Sequence, residues 1–126
     1  ALYEAGCRDL IVSPGSRSAP ISVAVSRFGH FNIKVCADER SAAFVGLGIA
    51  MESKKPVGII CTSGSALANY YPAVLEAYYR NVPLIVLSAD RPPELIDQWD
   101  GQTIHQQEIF GTHQKGFFEC SDQYQN

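Results

Sequence analysis

Four short apolar runs divide the chain, and a stretch with helical character follows each of the first three. These runs are typical of buried β-strands, because they are brief and are mostly rich in valine, isoleucine and leucine. They cover residues 9–12, 32–37, 57–61 and 84–89. Helices are predicted from Ala19 to about Arg27, from just after Glu39 to about Ser53, and from about Ala66 to Arg80. The alternation predicts a three-layer α/β/α fold, in which a mainly parallel sheet carries helices on both faces.

Local signals indicate where several elements begin and end. Ser18 is the predicted N-cap of the first helix, and Pro20 suits its first turn because the missing N–H would be unpaired there. Residues 1–6 are typical of the last turns of a helix closed by a glycine, so we expect the natural amino terminus to be absent. Beyond the fourth strand we expect an irregular stretch over 90–102, a short helix over 106–110 and a strand that begins at 117–118.

Composition and charge narrow the classes of function. A chain of 126 residues with 46% hydrophobic residues fits one globular domain. The net charge of −3 offers no basic surface for nucleic acid, and no apolar run approaches the length needed to span a bilayer. The four cysteines have neither a C-x-x-C pair nor the spacing of a zinc site. We therefore expect free thiols, no metal site within this chain, no nucleic-acid or membrane partner, and a cytoplasmic location.

The loops that follow the four strands carry most of the chemically interesting residues. They cover residues 13–18, 38–40, 62–65 and 89–102. Right-handed crossovers place such loops on one edge of a parallel sheet, the edge at which open α/β sheets bind their ligands. This convergence predicts a binding or catalytic site.

Two of these loops carry a charged candidate close to a strand end. The loop 13–18 offers backbone N–H groups, hydroxyls and Arg17 to a carboxylate or phosphate, although a capped turn explains it equally well. Glu39 follows the second strand and is either a site carboxylate or an acid at the positive end of a helix.

The other two loops leave the same choice open. Gly64, within 62–65, would let a ligand approach the backbone closely, and a capped turn is the alternative. Arg91 follows the most apolar strand and either binds an anion or forms an ion pair with Asp90 or Glu94.

Small and aromatic residues mark two helix surfaces. Ala42, Gly46 and Ala50 leave one side of the second helix nearly bare, which permits close approach to the sheet or to a partner helix. The third helix carries a tyrosine stripe that indicates either core or a subunit interface. The stripe consists of Tyr70, Tyr71, Tyr78 and Tyr79. His30, His105 and His113 have no catalytic spacing to a nucleophile and are interpreted as solvent or loop residues.

Taken in order, the loop motifs resemble a known family. Ser-Pro-Gly-Ser-Arg-Ser at 13–18, Asp-Glu-Arg at 38–40, Thr-Ser-Gly-Ser-Ala at 62–66 and Ala-Asp-Arg-Pro-Pro-Glu-Leu at 89–95 precede Gln-Thr-Ile at 102–104. The set is similar to the N-terminal pyrimidine-binding domain of the 2-succinyl-5-enolpyruvyl-6-hydroxy-3-cyclohexene-1-carboxylate synthase family. These are thiamine-diphosphate enzymes of menaquinone biosynthesis, and the similarity runs from about residue 2 to residue 119. The sequence departs from the family at Ser65, where threonine is usual, and at Gly101, where asparagine is common.

The resemblance implies a catalytic and cofactor-binding role for Glu39. In the family this glutamate hydrogen-bonds N1′ of the aminopyrimidine of thiamine diphosphate and favours its imino tautomer. A carboxyl group with this task is expected to be buried among apolar groups, which raises its pKa. Thr62, Ser63 and Gly64 would flank the cofactor.

The resemblance also implies the substrates and the residues that bind one of them. The family decarboxylates 2-oxoglutarate and adds the succinyl unit to isochorismate. Ser16, Arg17, Arg91 and Gln102 match the positions that the family uses around isochorismate. Both substrates are dicarboxylates, so arginines at this edge suit them.

Part of the family's machinery is expected to lie outside these residues. The family holds Mg²⁺ and the diphosphate with a Gly-Asp-Gly…Asn segment of another domain, and no Gly-Asp-Gly occurs here. We expect residues 1–126 to be a pyrimidine-binding domain fragment that lacks the central and diphosphate-binding domains and is inactive alone. The whole enzyme would be a homodimer or homotetramer. Another thiamine-diphosphate carboligase or decarboxylase and a non-catalytic regulatory domain of the same fold are the alternatives.

Overall fold

A four-stranded parallel sheet lies at the centre of the computed structural model, which describes residues 1–120. The strands follow the order β2-β1-β3-β4 across the sheet. They are β1 (Asp9–Val12), β2 (Asn32–Val35), β3 (Val57–Cys61) and β4 (Leu84–Ser88). The predicted parallel sheet is confirmed, although β2 and β4 end slightly before their predicted limits at 37 and 89.

Helices cover both faces of this sheet, so the three-layer prediction is also confirmed. They are α1 (Ala19–Phe28), α2 (Glu39–Ser53), α3 (Ser65–Ala68) and α4 (Tyr71–Arg80). On one face, α2 packs against β1, β3 and α4 around the larger part of the core. On the other face, Ile21 and Val25 of α1 pack against Leu10, Val12 and Ile60.

Helix α2 lies unusually close to the sheet. Its N-cap is Asp38, whose carboxylate accepts a 2.8 Å hydrogen bond from the Ser41 amide and so satisfies a free donor of the first turn. A Cβ built on Gly46 would lie only 2.7 Å from Cγ2 of Ile59. The bare side of α2 therefore serves contact with the sheet, one of the two predicted alternatives.

The helix predicted over 66–80 is wrong as a single element. It is divided into α3 and α4 at Asn69 and Tyr70. Pro72 is the physical reason, because proline lacks the N–H that would bond to the carbonyl of Ala68 and instead favours the first turn of a new helix. Helix α4 ends at Arg80, and the next residue, Asn81, adopts a left-handed φ of 54°.

One prediction about a helix end needs correction. Ser18 does not cap α1 with its side chain, because its hydroxyl donates to the carbonyl of Gly15 at 3.1 Å instead. Residues 2–6 form turns that close as the end of a helix does, as predicted. The Gly6 amide donates to the Tyr3 carbonyl and the Cys7 amide to the Leu2 carbonyl, both at 3.1 Å, and Gly6 is left-handed with φ at 91°.

The segment after β4 is irregular, as predicted, but up to residue 120, where the described part ends, it contains neither the predicted helix nor a strand. Residues 107–110 form turns, and the regular pieces are two short 3-10 helices, Pro93–Leu95 and Gly111–His113. Residues 117–118 are not in a strand.

The tyrosine stripe divides between core and surface. Tyr70 is fully buried, whereas Tyr71, Tyr78 and Tyr79 are exposed, so the core interpretation holds only for Tyr70. The exposed tyrosines surround His113, whose Nδ1 lies 2.8 Å from the hydroxyl oxygen of Tyr71. His113 thus ties the second 3-10 helix to α4.

Two further properties bear on the setting of the protein. No helix within residues 1–120 is long and apolar enough to cross a membrane. All four cysteines are free thiols; Cys7 and Cys61 are buried, and Cys120 is exposed.

Candidate active site

The four polar loops meet at the carboxyl edge of the sheet, because every strand points the same way. The loop after β1 rests on the loop after β3. A Cβ on Gly15 would lie 2.4 Å from Cβ of Thr62, so only glycine permits this contact. Thr62 and Ser63 are buried at this junction.

The loop after β3 is joined in the same way to the segment after β4. The hydroxyl of Ser63 donates to the carbonyl of Gln102 at 2.9 Å. Gly64 has a φ of 77°, and a Cβ on it would lie 2.7 Å from Cα of Gln102. Gly64 therefore has no room for a side chain because the backbone of Gln102, in the same chain, occupies that space.

Gln106 is the buried residue that locks this arrangement. Its Oε1 accepts from the Gly64 amide at 2.6 Å, and its Nε2 donates to the Ala89 carbonyl at 3.0 Å. One side chain thus satisfies two backbone groups from the loops after β3 and β4. Sequence reasoning missed Gln106, since it lay within a predicted helix and nothing local distinguishes it from Gln107.

Arg91 makes contacts that differ from those expected. Its Nη1 pairs with Oδ2 of Asp100 at 2.7 Å, and its Nη2 donates to the Gly101 carbonyl at 2.8 Å. The predicted alternative was an ion pair with Asp90 or Glu94. Arg91 does form an ion pair, but its partner is Asp100, nine residues further on, in a loop that returns to the strand end.

Ser16 and Arg17 lie on the loop after β1, with Ser16 exposed and Arg17 half-buried. Among the described residues, Arg17 forms no ion pair with a carboxylate. Gln102 is also exposed, and its backbone adopts a left-handed φ of 57°. The side chains of Ser16, Arg17 and Gln102 are therefore available to a ligand at this edge.

Glu39 is the first residue of α2 and lies just beyond the end of β2. It is half-buried, so the expected full enclosure among apolar groups is wrong for this chain by itself. The carboxylate stands at the amino-terminal end of α2, where the backbone N–H groups of the first turn point.

Buried hydroxyl and thiol groups lie on the side of the sheet that α2 covers. Ser13 follows β1, Cys61 ends β3, and Tyr70 packs against them; all three are fully buried. Burial raises the pKa of the Cys61 thiol to about 12, and the nearby carboxylate of Glu39 adds to this increase. Burial likewise raises the pKa of Tyr70, with smaller contributions from Cys61 and Glu39. Both groups are neutral, and Glu39 lies close to them.

Some of these buried groups have no partner. Within the described part of the chain, the hydroxyls of Ser13, Thr62 and Tyr70 make no hydrogen bond. Buried polar atoms are normally paired. All three are fully or almost fully enclosed, so they are not open to a ligand in this structure.

Comparison with known proteins identifies the kind of domain. The family described as thiamine pyrophosphate enzyme, N-terminal TPP binding domain, matches residues 1–115. The chain belongs to this family. This match confirms the predicted α/β fold and the predicted resemblance to thiamine-diphosphate enzymes.

Individual relatives carry one common name. A protein of Cytophaga hutchinsonii is 60% identical over 98% of this chain, and one of Flavobacterium johnsoniae is 54% identical over 86%. A protein of Geobacillus kaustophilus is 48% identical over 95%. All three are named 2-succinyl-5-enolpyruvyl-6-hydroxy-3-cyclohexene-1-carboxylate synthase. This TPP-binding domain covers 22%, 20% and 21% of their lengths, about a fifth of each.

Glu39 is the residue of the TPP-binding domain that suits the ring of thiamine pyrophosphate (thiamine diphosphate). It is half-buried at the carboxyl edge of the sheet, so its carboxylate is accessible to a ring nitrogen. Residues 1–120 hold no group of three His, Cys, Asp or Glu side chains able to bind a metal ion.

Proposed function

We propose that this domain supplies the pyrimidine-binding half of the active site of a thiamine-diphosphate-dependent synthase. The full-length enzyme would decarboxylate 2-oxoglutarate and add the succinyl unit to isochorismate in menaquinone biosynthesis. The observation that carries the proposal is the position of Glu39 at the start of α2, on the edge where the other three loops meet. The shared name of the relatives supports this synthase over other thiamine-diphosphate enzymes.

Glu39 would act as the acid–base group toward the cofactor. Its carboxylate would hydrogen-bond the N1′ nitrogen of the aminopyrimidine and share a proton with it. Thr62, Ser63 and Gly64 would flank the ring, with Gly64 held in place by Gln106. When bound, thiamine diphosphate accepts the electron pair released as 2-oxoglutarate loses CO₂.

The neighbouring loops would bind isochorismate. Arg17 and Arg91 would face its carboxylates, since guanidinium groups match carboxylate geometry. Ser16 and Gln102 would add hydrogen bonds from the two sides of the edge. This assignment is supported by the location of all four residues at one edge of the sheet and by the exposure of Ser16 and Gln102.

The remaining parts of the active site would come from elsewhere in the enzyme. A separate diphosphate-binding domain would hold Mg²⁺ and the diphosphate, and a homodimer or homotetramer would bring that domain to this one. The isolated domain would therefore be inactive. The free thiols of all four cysteines support a cytoplasmic setting.

Replacement of Glu39 by glutamine in the full-length enzyme tests the catalytic role. The amide keeps the size of the side chain but cannot exchange the proton, so we expect turnover to fall about 10²–10⁴-fold while the melting temperature stays unchanged. Glu52→Gln is the matched control, because it removes the same charge from the exposed far end of the same helix. Near-normal turnover of the Glu39 variant would refute the proposal.

A second variant tests the substrate assignment. Arg91→Ala should weaken isochorismate binding more than it slows decarboxylation of 2-oxoglutarate. Equal effects on both steps would contradict the placement of Arg91 at isochorismate and leave the role of Glu39 untouched.

A further inference from the structure

Arg91 is already bound to two acceptors of its own loop. Its Nη1 pairs with Asp100 at 2.7 Å, and its Nη2 donates to the Gly101 carbonyl at 2.8 Å. A carboxylate that binds a guanidinium through two parallel hydrogen bonds needs two adjacent N–H groups. Such a ligand therefore has to displace at least one of these acceptors or approach through Nε.

The Nε atom of Arg91 is itself unusual. It is buried and has no acceptor within the described part of the chain. A buried donor on a charged group is costly when unpaired, so an acceptor is expected to complete it. Because Nε is enclosed, an incoming oxygen reaches it only when a neighbouring group moves aside.

Asp100 is the partner that can leave most easily. Its side chain is 42% exposed, whereas that of Arg91 is only 16% exposed. The carboxylate therefore regains water when it separates, while the arginine stays in place. Ion pairs with this degree of exposure are weak.

The loop that carries Asp100 is also irregular and contains left-handed residues on both sides. Asp97, Trp99 and Gln102 have φ values of 63°, 59° and 57°, conformations that cost non-glycine residues some energy. Neither a helix nor a strand holds residues 96–106. The pair between Arg91 and Asp100 therefore joins a largely buried arginine to a carboxylate on an irregular loop.

We propose that Asp100 is an affinity-determining residue, which occupies Arg91 as an internal carboxylate until a carboxylate of the substrate displaces it. This inference rests on the proposed function, because it takes isochorismate as the competitor. Arg17, which has no such partner among the described residues, would bind its anion without this competition. The two arginines of the site are thus unequal.

The test is a calorimetric titration of the full-length enzyme, loaded with thiamine diphosphate and Mg²⁺, with isochorismate in the absence of 2-oxoglutarate. No turnover occurs under this condition, so binding alone is measured. Asp100→Asn keeps the size of the side chain and removes its charge. We expect the Kd for isochorismate to fall about two- to fivefold, the range that corresponds to a weak ion pair.

Asp97→Asn is the matched control. It removes the same charge from the same loop, but its carboxylate pairs with His105 at 2.9 Å and not with Arg91. The Kd should remain unchanged in this variant. An equal decrease in both variants would overturn the inference, because it would show a general effect of loop charge.

Two further variants separate this inference from the proposed function. Arg91→Ala should raise the Kd, and adding Asp100→Asn to it should then have no effect. If Arg91→Ala leaves the Kd unchanged, the proposed substrate site fails. If Arg91→Ala raises the Kd while Asp100→Asn leaves it unchanged or raises it, only the competition by Asp100 is refuted.

Discussion

The Gly64 amide donates to the side chain of Gln106, which lies 42 residues later in the chain, at a distance of 2.6 Å. The same glutamine donates to the carbonyl of Ala89, so the loops after two neighbouring strands are held by one buried amide group. The Gly64 amide would otherwise be buried without a hydrogen bond, and the Ala89 carbonyl would lose its partner in a partly buried position. The shape of the candidate site on this side therefore depends on a residue that is not expected to contact any ligand.

Gln106→Ala should accordingly destabilise the protein and loosen the site. The loss of one buried and one partly buried hydrogen bond to the backbone is expected to lower the free energy of unfolding by about 2–4 kcal/mol. Gln107→Ala is the control, because Gln107 is the exposed neighbour of the same type. Urea denaturation of both variants measures the difference; equal stabilities would show that Gln106 is dispensable.

Two glycines of α2 should respond to alanine in opposite directions. Gly48 is exposed and has open space around it, so Gly48→Ala should stabilise the helix by about 0.5–1 kcal/mol. In Gly46→Ala the new methyl group would collide with Ile59, which should destabilise by about 1–3 kcal/mol. Paired urea titrations of the two variants provide the measurement. A gain in stability for Gly46→Ala would contradict the close packing of α2 on the sheet.

The buried thiols should be unreactive in the folded protein. Burial raises the pKa of Cys7 and raises that of Cys61 to about 12, so neither forms appreciable thiolate at about pH 8. Iodoacetamide followed by peptide mapping should therefore label the exposed Cys120 and spare Cys7 and Cys61. All four cysteines should be labelled after denaturation. Rapid labelling of Cys61 in the native protein would argue against its burial.

The cap of α2 should depend on pH. Hydrogen bonds from the side chain and backbone of Ser41 hold the pKa of Asp38 below its usual value. A carboxyl group with a lowered pKa stabilises the folded state above its unfolded pKa of about 4, and this contribution is lost as the pH falls through the folded value. Asp38→Ala should therefore lower the melting temperature at neutral pH and lose this effect in strong acid. Asp38→Asn can still cap the helix and should lower the melting temperature less than Asp38→Ala does. If the effect of Asp38→Ala on the melting temperature did not change with pH, the mechanism would be contradicted.

The sequence was sufficient to predict the sheet and the first two helices. These elements depend on local signals, such as the apolar run of β3 and the polar loop 62–65 that follows it. The edge on which Glu39 and Arg91 lie could also be predicted, because it follows from the handedness of parallel crossovers. The division of the helix at Pro72 had a local signal as well, but the apolar pattern on both sides concealed it.

The contacts after β4 could not be predicted in this way. Gln106 is buried because of Gly64 and Ala89, and Arg91 pairs with Asp100 because an irregular loop returns to the strand end. Such partners are distant along the chain, and periodicity carries no information about them. The same holds for the half-burial of Glu39, which depends on what surrounds the sheet edge.

The strand order has a consequence for the synthesis of the protein. Of the four described strands, β1, β2 and β3 are made before β4, and β1 lies between β2 and β3. Strand β4 joins at the outside of β3, and Gln106 is made later still. The strand that precedes Glu39 and its neighbours β1 and β3 are therefore synthesised before Arg91 and Gln102. We expect the part of the edge that carries Glu39 to form before the part that carries these two residues.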